Sequence, residues 1–350
     1  MICYSWTAPY STQGLLVMSE LDSTAFMSHI SNNIEDVFHD IFSEQLSPEE
    51  IRAYLIDLHK KGESAEDIEG AVRFLRKNGE QAICHQTDLI DCCGTGGDQK
   101  NTFNISTAVG FVLAGAGCHV AKHGNVAISS QSGSADVLKA LGINLAATKE
   151  VMINAIDDVG IGFLYAPAFY PLLKKVAQIR KSIPHRTIFN LLGPMLNPAR
   201  AKKQVIGVFD KKYTSIMRDV LAALGSESVA IVSAADGTDE FSLCCDNIVS
   251  RWHENEKTDF IFDPRQAGYP YCQQEDLKGG TAEENADRLR KCLKGHSEPV
   301  DHVVHINAAW GLLVARKTDV FLEAMLMAQD SISSGRAYQK LEELVKITND

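Results

Sequence analysis

The stretch Asp91-Cys92-Cys93-Gly94-Thr95-Gly96-Gly97-Asp98-Gln99-Lys100-Asn101-Thr102-Phe103-Asn104-Ile105-Ser106-Thr107 decides how this chain is read. Leu89, Ile90, Cys92 and Cys93 form an apolar lead-in of strand type, glycines follow at 94, 96 and 97, and Ala108-Val109-Gly110-Phe111-Val112-Leu113-Ala114 begins a helix. Such a turn lets backbone amides approach an anion, and the helix N-terminus behind it adds a positive dipole end. Thr102, Asn104, Ser106 and Thr107 add side-chain donors. A second cluster follows in Lys122-His123-Gly124-Asn125, Ser129-Ser130 and Ser132-Gly133-Ser134-Ala135-Asp136, where Lys122 brings a cation and Ser129, Ser130 and Ser134 bring hydroxyls. Two donor patches of this kind suit a ligand with several phosphates.

The spacing excludes the usual nucleotide loops. There is no GxxxxGK[ST], and Gly94-Thr95-Gly96-Gly97-Asp98-Gln99 breaks GxGxxG. Gly94 to Asp98 alone would read equally well as a plain turn; the second cluster tips the balance. Further on, Asp239-Glu240 follows an apolar strand and Gly237. Adjacent carboxylates there suit Mg²⁺, which takes oxygen ligands and keeps waters and substrate phosphates in its shell, although such a pair in isolation is usually a solvated loop. Asp236 reads as a turn residue. Arg180, in Lys174-Lys175-Val176-Ala177-Gln178-Ile179-Arg180-Lys181, is either part of a solvated basic face or a bidentate carboxylate clamp.

The succession GTGGD, TFNIST, KHGN, SS and SGSADVL resembles the anthranilate phosphoribosyltransferase family. The resemblance extends to residues 29–78 as a small helical domain, to Arg180 and Arg186-Thr187-Ile188-Phe189-Asn190-Leu191-Leu192-Gly193-Pro194 as a central signature, and to Asp236-Gly237-Thr238-Asp239-Glu240 as an acidic motif. It ends in helices over 307–345 with Asn307-Ala308-Ala309 and Ser334-Gly335-Arg336-Ala337. It implies transfer of the phosphoribosyl group of phosphoribosyl pyrophosphate (PRPP) to the amine of anthranilate, with release of pyrophosphate. PRPP would be bound by Gly94, Gly97 and Asp98; by Thr102, Asn104, Ile105, Ser106 and Thr107; and by Lys122, His123, Gly124, Asn125, Ser129, Ser130 and Ser134. Anthranilate would meet Gly94, His123, Asn125 and Arg180, and Mg²⁺ would be held by Ser106, Asp239 and Glu240. A homodimer through the helical domain is also implied. An anilinic amine is nucleophilic without deprotonation, so no general acid or base is assigned. The alternatives are a phosphoribosyltransferase for another aromatic amine, or an enzyme like the pyrimidine nucleoside phosphorylases.

The chain departs from the family pattern at Gln99, Val126, Tyr170, Ser233-Ala234 and Thr238. Val126 and Tyr170, which replace an arginine and a histidine, are expected near the acceptor pocket.

Composition fits this reading. Thirty-four basic against 45 acidic residues give a net charge of −11, which disfavours nucleic acid as a partner but not a phosphorylated substrate. Nine cysteines without a CxxC argue against a disulfide framework or a zinc site; Cys92-Cys93 and Cys244-Cys245 are expected as small apolar strand residues. No apolar run reaches membrane-spanning length and residues 1–20 lack a signal-peptide pattern, so the protein is expected in the cytoplasm, with no membrane partner. Met18 as start, or residues 1–20 as a disordered extension, both fit.

The fold class is α/β, with a small helical domain (21–87), joined by later helices from the middle of the chain, and a larger domain (88–350) built on a central, mostly parallel sheet with C-terminal helices. Ser47-Pro48-Glu49-Glu50 and Ser64-Ala65-Glu66-Asp67 are capping boxes that start helices ended by Gly62 and Gly79, after an amphipathic segment 23–43. Apolar strands are predicted at 89–93, 118–121, 204–208 and 229–233, alternating with helices, and a helical tail at 308–345.

Overall fold

The computed structural model describes residues 30–98, 100–124, 133–296 and 298–350. Three helices come first: α1 (Ile34–Phe42), α2 (Pro48–Lys61) and α3 (Ala65–Asn78). Both predicted capping boxes are formed: the Ser47 and Ser64 hydroxyls accept from the amides of Glu50 and Asp67, whose carboxylates reach back to the capping residues' own amides. The side chain of Asn33 caps α1, so the helical part of the amphipathic segment begins at Ile34. Its buried stripe, Val37, Phe38 and Ile41, packs on α3. After α4 (Ile105–Gly115), the middle of the chain forms α5 (Ser134–Ala140), α6 (Lys149–Asp158), α7 (Ala166–Phe169), α8 (Lys174–Lys181) and α9 (Phe189–Met195). The rings of Phe38, Phe42, Phe74 and, from α9, Phe189 form one cluster with neighbouring centroids 5.5 to 6.5 Å apart, which ties the N-terminal helices to the middle of the chain.

The larger domain is built on one seven-stranded sheet in the order β3-β2-β1-β4-β5-β6-β7. Strands β1 (Leu89–Gly94), β2 (His119–Gly124), β3 (Ile161–Tyr165), β4 (Lys203–Gly207) and β5 (Ser228–Ala234) are parallel; β6 (Asn247–His253) and β7 (Glu256–Phe262) add an antiparallel hairpin. Successive residues face opposite layers, as period 2 requires. Ile90, Cys92, Val205, Ala230 and Val232 enter one core with α4 (Ile105–Gly115), α11 (Ala282–Leu293), α12 (Pro299–Val314), α13 (Phe321–Ser333) and α14 (Arg336–Asn349). Leu89, Cys93, Ile206, Val229 and Ile231 enter the other with α1 to α3, α9 and α10 (Lys212–Ala223). Burial on both faces explains why the inner strands read as continuous apolar runs.

Three expectations are corrected. Strands β3, β6 and β7 have no counterpart among the predicted strands. Cys244 and Cys245 are not in a strand: they sit in the loop between β5 and β6. The helical tail begins at Pro299, ahead of residue 308.

The topology places the site. From β1 the chain moves outward through β2 and β3, then crosses back to β4 on the other side of β1 and moves outward to β5. The order therefore reverses between β1 and β4, and in open α/β sheets the crevice beyond the carboxyl ends at such a switch point is where ligands bind.

Candidate active site

At that switch point β1 and β4 end as paired glycines, Gly94 opposite Gly207. Asp239, from the loop after β5, lies on both. A Cβ on Gly94 would come within 2.3 Å of the Asp239 carboxylate, and one on Gly207 within 1.5 Å of its carbonyl oxygen. Bare backbone is therefore required at both positions. Gly96 and Gly97 turn with φ of +67° and +70°, and the Gly96 amide donates to Asp239 Oδ2 at 2.6 Å. The loop is pinned elsewhere too. Thr95 donates its amide to the Gly207 carbonyl at 2.9 Å and accepts the Phe209 amide on its hydroxyl at 3.3 Å. The Arg186 guanidinium lies 3.7 Å from the centre of the Phe209 ring and donates to the Gly97 carbonyl. The ring's negative face and the carbonyl thus hold one cation between them.

Three carboxylates converge here. Burial, and then the charge of Asp98, push the Asp239 carboxyl up to about 7. Burial, and then Asp239, push Glu240 up to about 8, against the pull of Lys122 and of the Ser106 amide. Asp98 Oδ2 is buried with no hydrogen-bond partner among the described residues. Like charges held together out of water are stable only when protonated or bridged by a cation. Two partners fix the loop itself. The Asp236 carboxylate accepts the Thr238 amide at 3.0 Å beside Gly237 at φ +86°, as a turn residue does. Asn307 on α12 accepts the Phe241 amide at 3.0 Å and donates to its carbonyl at 2.8 Å, while the Phe241 ring stacks on Trp310 at 4.8 Å.

The donor segment faces this loop. Asn104 sits at the start of α4 without capping it; its Oδ1 instead accepts from buried Asn285 on α11 at 3.0 Å. Its own amide N–H groups are left as donors. Ser106 opens the first turn of α4. Thr102 bridges Lys278 in backbone pairing, Ile105 is buried and offers backbone only, and the Thr107 hydroxyl is buried with no partner among the described residues. Lys122 is 4% exposed and lies behind Ser106, donating to Ser106 Oγ at 3.2 Å and to the Cys92 carbonyl at 2.7 Å. Burial works against its charge, and the acidic groups around it, Cys92 and Asp91 foremost, outweigh burial and raise its pKa. Gly124 ends β2 with the Ser134 hydroxyl beside it.

His123 is buried, and burial lowers its imidazole to about 4, so it is neutral. Nδ1 lies 3.1 Å from the Gly193 carbonyl, and Nε2 is buried with no partner among the described residues. A carbonyl can only accept, so Nδ1 carries the proton and Nε2 is an acceptor. The His123 amide donates to Asp91, a fully buried carboxylate that also accepts from Asn197 at 2.7 Å.

Arg180 lies on α8, half-buried, with its guanidinium 5.1 Å from the Phe189 ring centre and no ion pair among the described residues. Burial lowers its pKa. A guanidinium in that position is free to pair with a carboxylate in bidentate geometry. Tyr170 is placed beside His123. It is 1% exposed, its ring fills the space over Gly79 and meets His123 edge-on at 6.2 Å, and its hydroxyl lies beside Arg76 and Arg200. It is a core residue behind His123. Asn125, Val126, Ser129 and Ser130 lie outside the described residues.

Residues 86–338 match the family described as "Glycosyl transferase family, a/b domain", and residues 31–79 match its "helical bundle domain". The anthranilate phosphoribosyltransferase of Teredinibacter turnerae is 42% identical over 318 residues, 90% of this chain and 93% of that protein. Among solved structures, the anthranilate phosphoribosyltransferase of Thermus thermophilus superposes with a TM-score of 0.86 at 35% identity, covering 94% of this chain and 100% of that one. The Saccharomyces cerevisiae enzyme in complex with PRPP and Mg superposes with a TM-score of 0.84 at 26% identity, covering 95% of this chain and 99% of that one.

Proposed function

Since the chain belongs to the anthranilate phosphoribosyltransferase family and is a transferase, we propose that its crevice transfers the phosphoribosyl group of PRPP to the amine of anthranilate, releasing pyrophosphate and giving N-(5-phosphoribosyl)anthranilate, a step of tryptophan biosynthesis. The observation that carries this reading is the buried pair Asp239 and Glu240 beside the glycine loop, with Asp98 next to Asp239, which repel one another when ionised unless a cation offsets their charge.

Among the described residues no three or more His, Cys, Asp or Glu side chains are placed to enclose a metal on their own. The donor set, Asp239, Glu240 and the Ser106 hydroxyl, is all oxygen and incomplete, which suits Mg²⁺ sharing its shell with water and phosphate. When bound, Mg²⁺ supplies charge neutralisation for the departing pyrophosphate. The chain's own groups do the rest. The Gly97 amide and the side-chain N–H groups of Asn104 are donors for developing negative charge; Asn285 orients Asn104, Lys122 holds Ser106, and the Gly96 and Ser106 amides hold Asp239 and Glu240. Arg180 would hold the acceptor's carboxylate and so set the amine against the sugar, a gain in proximity that replaces activation of the nucleophile. Neutral His123 offers Nε2 as an acceptor on that side. Cytoplasmic residence and a homodimer through the helical domain belong to this proposal; the free thiols among the described cysteines support the former and the family resemblance the latter.

Loss of anthranilate fluorescence with PRPP and Mg²⁺, measured against a panel of aromatic amines and against phosphorolysis of thymidine and uridine, tests the reading. Turnover of anthranilate ahead of other amines is expected; phosphorolysis without it would overturn the proposal.

The carboxyls of Asp239 and Glu240 titrate higher in the ligand-free fold than in the unfolded chain, so the stability linked to them is present at low pH and lost as pH rises through about 7 and about 8. Melting in a chelator should move to lower temperature as pH is raised from about 5 to about 8, and Mg²⁺ with pyrophosphate should remove most of that fall by displacing the protons. A chelated protein whose melting rises over this range would contradict the cluster's electrostatics.

A further inference from the structure

Cys244 and Cys272 come from separate loops, yet their sulfurs lie 3.4 Å apart. Cys244 belongs to the loop between β5 and β6, a few residues past Glu240. Cys272 belongs to the segment 263–280 that runs from β7 to α11. Both are half-buried, neither sealed in a core like Cys92 and Cys93 nor free in solvent. The backbone beneath them is already joined, since the Cys272 amide donates to the Leu243 carbonyl at 3.1 Å. Bonds on either side hold the register: Tyr271 donates its hydroxyl to Asp246 at 3.0 Å, and Gln274 donates to Asp236 at 3.1 Å. Two thiols brought face to face by their loops need only close to the bonded distance of about 2.05 Å.

We propose that Cys244 and Cys272 are an oxidant-reactive dithiol that a hydroperoxide converts into a reversible disulfide, locking together the two banks of the PRPP site. The hydrogen bond from Cys272 holds the Cys244 thiol below its ordinary value and pushes Cys272 up, which makes Cys244 the attacking sulfur. Its thiolate displaces hydroxide from the peroxide and becomes a sulfenic acid. Cys272 then attacks that sulfur, its proton leaving with the second hydroxide as water. The two thiols lose two electrons and two protons; the hydroperoxide is reduced to water, or to water and an alcohol.

The position gives the bond its effect. On one side Cys244 continues the loop that carries Asp239 and Glu240. On the other, segment 263–280 ends against the donor segment: the Phe103 amide donates to Leu277 and the Gly279 amide to Asn101, both at 2.8 Å. A disulfide would tie the carboxylate loop covalently to the segment that is hydrogen-bonded to the donor residues. The kinetic consequence rests on the proposed function, whereas formation of the bond does not.

The test uses the full chain with one equivalent of hydrogen peroxide. Non-reducing peptide mapping should find the peptides of Cys244 and Cys272 joined, melting should rise by a few degrees, and both changes should reverse with dithiothreitol. The PRPP KM should shift severalfold with the anthranilate KM unchanged. Cys272→Ser should leave Cys244 as a sulfenic acid trapped by dimedone, with reduced-state activity intact. Absence of the joined peptide, or equal joining through Cys245, would overturn the site; a joined protein with unchanged melting and PRPP KM would overturn the lock. Mapping and melting need no catalysis, so they stand apart from a failure of the proposed reaction.

Discussion

Changing Asp239 to Asn together with Glu240 to Gln is expected to cut turnover by about a hundredfold or more, ~2.7 kcal/mol of transition-state stabilisation, while the chain stays folded. The substitutions keep shape and an acceptor for the Gly96 amide, which bonds Asp239 Oδ2 at 2.6 Å, and remove the charges that would hold a cation against the pyrophosphate. They also remove buried repulsion with Asp98. Melting in a chelator should therefore be unchanged or raised, which separates this result from simple unfolding. The measurement is kcat at saturating PRPP across a Mg²⁺ titration; turnover that survives at low Mg²⁺ would refute the assignment.

Arg180→Ala should separate the two substrates. The guanidinium sits on Phe189, against the helices, while the phosphate donors sit at the strand ends. Loss of a charge-assisted bidentate pair costs about 2–3 kcal/mol, so the anthranilate KM should rise by roughly 30- to 150-fold with the PRPP KM nearly constant. Arg180→Lys should recover only part, because an ammonium cannot match two carboxylate oxygens. Equal rises in both KM values would mean that Arg180 binds phosphate or supports the fold.

What could be read from the sequence was local. The capping boxes at Ser47 and Ser64 are complete within four residues, and strands buried on both faces announce themselves as apolar runs. The hairpin of β6 and β7 carries no such sign. Its turn uses Glu254 and Asn255 at φ of +51° and +64° with no glycine. Hairpin turns of this hand usually advertise themselves by one. Strand β7 is moreover an edge strand whose charged residues lie in solvent. Strand β3 is short and interrupted by Gly162. Within the site, the glycine loop and Asp239-Glu240 are legible as motifs. Their mutual geometry is not, because it depends on partners far apart in the chain: Gly96 and Asp239 are separated by 143 positions, Asn104 and Asn285 by 181, and Gly97 and Arg186 by 89. The burial of Tyr170 is hidden from the sequence for the same reason. Its proximity to His123 is real, but the side that faces a pocket is decided by what packs over Gly79, on another element.

Three adjacent parallel strands, β2, β1 and β4, all end in glycine, at Gly124, Gly94 and Gly207. The floor of the crevice is therefore peptide backbone, with no side chain in it to alter. Any side chain at Gly94 or Gly207 adds bulk against Asp239, whereas a Cβ at Gly124 would meet only the Ser134 hydroxyl, at 3.4 Å. The walls are free to vary where the floor is not. A protein engineer can therefore alter the walls of such a crevice more freely than its backbone floor at Gly94 and Gly207, where any added atom meets Asp239.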